Sequence, residues 1–211
     1  MASRIIHLAV SKLLADNYDV GDKNLFCLGS VLPDAVAKER SHFFKFFDGG
    51  TRKTYDLIGF RNRYPGLSEG GLYLGYYMHL IQDIVFRDYF YHTVGYVPTS
   101  EKLKQLHLDY SLINSYVIGR YGITELPAVP DGLGEDPLLK EKGIDPSAFI
   151  GDMRGDLSLH PEGEPVFFTR AFADEYIARA EEVCGQELRA LSGEGEHINE
   201  DSFSWLKHNQ R

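Results

Sequence analysis

Residues 71–92, GLYLGYYMHLIQDIVFRDYFYH, are apolar on nearly every side. A helix that is hydrophobic all round belongs at the centre of a domain, so the rest of the chain must be laid around this one. Polar residues interrupt it, two of them ionisable and in its middle. His79 and Asp83 stand four apart, which puts them on one helix face about one turn from each other. A carboxylate in such surroundings is costly unless it is paired or bound to a metal. The pair alone leaves two readings open: His79 and Asp83 hydrogen-bond each other in the core, or they supply two ligands of a metal centre.

The segments that must surround this helix also read as helices. Residues 3–15 place Ile6, Val10, Leu13 and Leu14 on one face, with Ser3 as N-cap. Residues 99–121 open with Thr99 or Ser100 as cap and Glu101 in the first turn, and Gly122 stops them. Residues 166–191 form another long helical pattern with exposed charges. The stretch 24–64 is less regular, with Pro33, Gly49-Gly50 and a loop-like end at Pro65-Gly66. Residues 122–165 hold six of the nine prolines and seven glycines, which predicts a long irregular connection, expected to cover the site as a lid. There is no internal repeat and no convincing alternation at period two. The expected fold is all-α, a single multi-helix domain over 1–211 with a central buried helix and a long irregular connection at about 122–165.

Composition narrows the function classes. With 211 residues, 43% hydrophobic and 25% charged, the chain is of globular type rather than disordered, and long enough to bury a sizeable core. No apolar run approaches the ~20 residues of a membrane-spanning helix, and the first residues do not read as a signal peptide. Cys27 and Cys184 are expected as reduced thiols, and the expected compartment is the cytoplasm. Net charge is −9; residues 1–100 carry 11 Lys/Arg against 10 Asp/Glu, and residues 101–211 carry 11 against 21. Such a balance excludes a duplex nucleic-acid partner, which requires a basic face. Glycine-rich phosphate loops, the dinucleotide fingerprint and the GxSxG elbow are absent, and no histidine is followed directly by Asp, as a His-Asp phosphohydrolase dyad requires.

Three more residues of ligand type join the pair. His7 lies with Val10 and Leu14 on the inward side of the first helical segment. Asp34, in GSVLPDA, and His42, in ERSHFF, fall in a segment expected to be mostly loop, where binding residues concentrate. His7, Asp34, His42, His79 and Asp83 together suit zinc, with iron, manganese or nickel as other divalent choices. Arg87 shares the face of Asp83 and is expected to pair with a carboxylate or to bind a substrate phosphate. Tyr73, Tyr76 and Tyr77 read as core. His92, His107 and Asp109 read as surface or capping residues that could complete a coordination shell, and His160, His197 and His208 sit in polar surroundings.

An inward His on the first helix, then GSVLPDA, then SHFF, then GYYMHLIQDIVFRDYF resembles the zinc-dependent phospholipase C family over about residues 5–90. HLDYSLINSYVIGRYG is similar to helices that follow this core in uncharacterised bacterial members. The resemblance implies a helical fold related to single-strand-specific zinc nucleases. It implies that Asp34, His42, His79 and Asp83 bind one zinc, that Asp83 bridges to a second metal held by His7, and that Asp34 is the general base. The implied activity is hydrolysis of a phosphoester or phosphodiester, small or phospholipid-like, by zinc-activated hydroxide attacking phosphorus. Beyond Asp83 the chain has Asp88, Tyr89 and Phe90 where the family has a further histidine, and no HxxxE pair follows; the expected content is one or two ions. The alternative expectation is a non-catalytic, metal-stabilised helical binding or scaffolding domain.

Overall fold

Helix α1 (Arg4–Asn17) starts where Ser3 accepts a hydrogen bond from the Ile6 amide, and α2 (Lys23–Val31) starts where Asp22 does the same for Leu25. The computed structural model that shows this describes residues 3–158 and 161–206; His160 and His208 lie outside them. The apolar segment at the centre of the sequence is helix α5 (Leu72–Arg87), buried at every residue from Leu74 to Phe86. Its end widens without a break into a π turn, Asp88–Thr93, so the helix predicted over 71–92 is one continuous rod with a loosened last turn.

Around α5 pack α1, α2, α4 (Leu57–Arg63) and α9 (Arg170–Leu191), while α6 (Ser100–Arg120) lies against α1 and α9. The α2–α5 crossing is the closest of these because both helices carry glycine there. A methyl on Gly29 would stand 2.1 Å from the Leu72 carbonyl oxygen, and one on Gly75 would stand 2.0 Å from that of Phe26. Backbone therefore meets backbone, which brings carbonyl oxygens of α2 within reach of side chains on α5.

The stretch 24–64 is more ordered than expected. After α2 it holds a 3-10 turn (Leu32–Ala35), the one-turn helix α3 (Lys38–Ser41), a hairpin and α4. Strands β1 (Phe44–Phe47) and β2 (Arg52–Tyr55) pair antiparallel with Phe44 opposite Tyr55, and β3 (Trp205–Leu206) adds to β2 with Trp205 opposite Lys53. The hairpin turns at Asp48, Gly49 and Gly50, all at positive φ. The all-α expectation thus becomes mainly helical with one small sheet. Four-residue strands are too short to show a period, and FKFF, aromatic at three of four positions, hides it further.

The connection at 122–165 is likewise not irregular throughout. It contains α7 (Pro137–Lys142) and α8 (Pro146–Ser158), separated by Gly143 at φ 69°. Both helices begin with proline at their first position, where the missing N–H costs nothing. Asp136 accepts from Leu138 and Leu139 amides, and Asp145 accepts from that of Ala148. Two of the prolines counted as loop signals are helix starts. Among the described residues no helix is long and apolar enough to cross a membrane.

Candidate metal centre

The five candidate ligands come together from four separate pieces of chain. His7 projects from α1, Asp34 from the 3-10 turn after α2, His42 from the residue ending α3, and His79 and Asp83 from the inward face of α5. His7, His42, His79 and Asp83 have no exposed surface, and the Asp34 side chain keeps 8% of its own. His7 Nε2 lies 3.6 Å from Asp83 Oδ1 and 3.9 Å from Asp34 Oδ2. His42 Nε2 lies 3.4 Å from Asp83 Oδ2 and 3.7 Å from Asp34 Oδ1, and His79 Nε2 lies 3.8 Å from Asp34 Oδ1. The Nε2 atoms of His42 and His79 are 3.2 Å apart. No hydrogen bond joins His79 to Asp83, so the simple core pair is not what forms.

Partners outside the cluster fix which ring nitrogen carries the proton. His79 Nδ1 is 2.8 Å from the Ser30 carbonyl oxygen, which can only accept, so Nδ1 is the donor. His7 Nδ1 donates in the same way to Gln82 Oε1 at 2.8 Å, while the Gln82 amide donates to Ser11 Oγ at 3.3 Å. His42 Nδ1 meets Ser41 Oγ at 2.8 Å, whose own hydroxyl is directed at the Ala37 carbonyl. Hydrogen-bond pattern thus assigns the Nδ1–H tautomer to all three rings. With the proton on Nδ1, each ring turns its Nε2 lone pair toward the two carboxylates.

His7 Nε2, Asp34 Oδ1 and Asp83 Oδ1 are buried without a hydrogen-bond partner. Buried orphans are rare in folded proteins and call for a reason. A bound cation satisfies acceptors from all sides. Ligands held 2.0–2.1 Å from one tetrahedral ion lie about 3.3–3.4 Å apart, close to the 3.2–3.9 Å separations given above. Oriented imidazoles with an outer hydrogen-bond partner on the far nitrogen are the usual ligands of such sites. The donor set therefore fits a divalent transition ion. Two overlapping triads meet the distance requirement, His7/His79/Asp83 and Asp34/His42/His79, with His79 common to both.

Electrostatics prepare the same groups. Burial, reinforced by His7 and His42 and only partly opposed by Asp83, holds the His79 ring well below the usual histidine pKa, so it is neutral and able to ligate. For Asp83, burial alone would favour the protonated acid. The Lys38 ammonium, 3.4 Å away, opposes it, and the carboxyl is held well below its ordinary value.

Above the cluster opens a cleft of about 590 Å³ whose walls include Asp34, Lys38, Arg4, Tyr91, His107 and Tyr110. Asp156 of α8 also borders it, and Arg4 is tied to Asp152 and Asp156. The 122–165 segment thus forms part of the cleft rim through α8.

Other sequence candidates fall elsewhere. Asp109 anchors the loop before α9 by accepting from the amides of Val166, Phe167 and Phe168. His92 pairs with Asp88 at the surface, and His107 is an exposed residue of the cleft wall. Arg87 forms no ion pair among the described residues and stacks over Trp205 at 3.9 Å and Tyr91 at 5.0 Å. Tyr76 donates to the Ser41 carbonyl and so steadies the turn that carries His42. Cys27 and Cys184 are unpaired, and burial pushes the Cys27 thiol up to about 11 and that of Cys184 further.

Sequence reasoning missed Lys38, Tyr55 and Gln82. Tyr55 donates to Asp83 Oδ2 at 3.1 Å, and Lys38 Nζ stands 3.4 Å from the same oxygen. Gln82 had a readable signal, since it is a second polar residue in the apolar run, three after His79. Lys38 is four residues after Asp34 and four before His42, a spacing that signals contact only once α3 is known to be helical. Comparison of the chain with family models, curated proteins and solved structures finds no match.

Proposed function

We propose that this protein is a zinc-dependent hydrolase of phosphoesters, with phosphodiesters as its main substrates. The observation that carries the reading is the convergence of three outwardly tied imidazole lone pairs and two carboxylates on one point beside a cleft. The order of these residues along the chain, which resembles the zinc-dependent phospholipase C family, supports the choice of zinc and of phosphorus as the centre attacked. A zinc ion held there supplies a Lewis acid and brings the pKa of a bound water near 7.

The residues divide the remaining work. His7, His42 and His79, aimed by Gln82, Ser41 and Ser30, would hold the ion. Asp83, wholly buried, holds it from the α5 side. Asp34 is the one ligand with surface on the cleft, so its carboxylate can reach both the ion and a water beside it. It is assigned the role of general base, which would take the proton of a water attacking phosphorus. Lys38 gives the cleft wall a positive charge beside Asp34, which a phosphoester requires.

The test joins metal content to turnover. Protein prepared without chelator is analysed for metal per chain, then assayed with bis(p-nitrophenyl) phosphate and with phospholipid micelles. The expected result is bound zinc and chelator-sensitive hydrolysis, both lost in His79→Ala and Asp83→Asn. Metal bound without turnover on any phosphoester would transfer the site to the scaffolding reading, in which the ion only ties α1, α2 and α5 together. Full hydrolysis retained by both variants would rule the site out as the catalyst.

A further inference from the structure

The two oxygens of Asp83 live in different surroundings. Oδ1 has no hydrogen-bond partner and faces His7 Nε2 at 3.6 Å. Oδ2 has two donors, the Tyr55 hydroxyl at 3.1 Å and the Lys38 ammonium at 3.4 Å, with His42 Nε2 also 3.4 Å away. A carboxylate that bridges two ions needs both oxygens for coordination, and here one is already occupied by hydrogen-bond donors. Lys38 is itself three-quarters buried and borders the cleft beside Asp34. An ammonium has three N–H groups, so a single contact with Asp83 leaves donors for something in the cleft.

We infer that Lys38 is a built-in second cation of the centre: it limits Asp83 to one metal ion and binds an anionic oxygen of the substrate in the cleft. This inference rests on the reading of the site as a metal-dependent phosphoesterase. Charge supports it. Two carboxylates and one divalent ion sum to zero, and Lys38 makes the centre cationic toward a phosphate. With Lys38 pressed against Oδ2, a second divalent ion at that oxygen would meet both a like charge and a blocked lone pair.

The experiment uses the full chain loaded with zinc and freed of excess ion by gel filtration. Metal per chain is measured by elemental analysis, and inorganic phosphate is titrated in by calorimetry, for wild type, Lys38→Gln and Lys38→Arg. Wild type is expected to hold one zinc. Lys38→Gln is expected to bind phosphate about tenfold more weakly, which is one lost charge-assisted hydrogen bond, and to keep or exceed the wild-type zinc affinity. Lys38→Arg is expected to recover most of the phosphate affinity, which a purely structural lysine would not produce. Two zinc ions in the wild type, or equal phosphate affinity in wild type and Lys38→Gln, overturns the inference and leaves the phosphoesterase reading intact. Loss of zinc by Lys38→Gln also overturns it, because Lys38 would then serve only to orient Asp83. A wild-type chain that takes up no zinc overturns both.

Discussion

Glu187 on α9 and Asp83 on α5 are both carboxylates with no exposed surface, the first reaching side chains of α5 and the second carried by it. Around Glu187 every neighbour donates. The Tyr77 hydroxyl, the Arg61 guanidinium and His197 Nδ1 reach Oε1 at 2.7, 3.1 and 2.8 Å, and the Ile198 amide reaches Oε2 at 2.8 Å. Around Asp83 the pattern inverts. One oxygen has donors, while the other, with Asp34 and three imidazole lone pairs, faces only acceptors. The first cluster is complete as it stands and welds α9, α4 and the following loop to α5. The second leaves buried acceptors unmatched among the described residues. Burial of charge alone does not mark a site; burial with unmatched acceptors does.

Breaking each cluster should therefore produce different losses. Asp83→Asn should remove zinc and lower phosphodiester hydrolysis by about three orders of magnitude or more, since a Lewis acid contributes several kcal/mol to the barrier. Glu187→Gln should leave zinc content and turnover per folded molecule unchanged. It should instead cost about 3 kcal/mol of stability, because Arg61 loses its partner and an amide N–H2 is turned toward donors, a fall in Tm of roughly 6–12 °C for a chain of this size. Thermal melts and metal analysis on both variants decide the matter. If Glu187→Gln also loses zinc, the two clusters are one network and the contrast drawn here is wrong.

How far the contrast was readable beforehand depends on which atoms build each cluster. His79 and Asp83 stood out because they interrupt an otherwise apolar helix, and His7 because it shares a face with Val10 and Leu14. The groups that hold these ligands were not visible in the same way. The Ser30 carbonyl is backbone, and it reaches His79 only because Gly29 and Gly75 let two helices touch. Tyr55 arrives on a strand too short to show alternation, and Glu187 sits in a charged helix whose pattern gives no hint that this acid faces inward. The sheet and the helices α7 and α8 escaped for a related reason: they are short, and their prolines and glycines signal breaks as readily as starts.

The outer partners offer a finer test of the same contrast. Gln82→Leu removes the acceptor that fixes the His7 ring but leaves every ligand atom in place. Replacing such an orienting partner costs about 10–100-fold in metal affinity, so zinc should bind that much more weakly by competition with a chelator while stoichiometry at saturation is preserved. At the Glu187 cluster the comparable change, Tyr77→Phe, removes one donor of four and should leave zinc affinity at the wild-type value. An equal loss of affinity in both variants would show that general loosening of α5, rather than orientation of His7, sets the strength of binding.

The smallest effect concerns protons, and it separates the clusters without any metal. In the chelated protein His79 is neutral and held well below its unfolded pKa of about 6.5. Below that pH the unfolded chain binds a proton that the native chain refuses, so stability falls as pH falls, by about 1.4 kcal/mol per unit from this residue alone. The loss continues until the native ring is itself protonated. Asp83 adds to the fall only below about pH 3.8, since its native carboxyl is held below that value and the unfolded one takes up a proton first. Urea unfolding of the chelated protein between pH 7.5 and 5 should therefore show midpoints that drop with acidity. The slope should be flatter by about one proton in His79→Gln. A slope that His79→Gln leaves unchanged would mean the native ring takes up its proton over the same pH range as in the unfolded chain, and the depressed His79 pKa would be overturned.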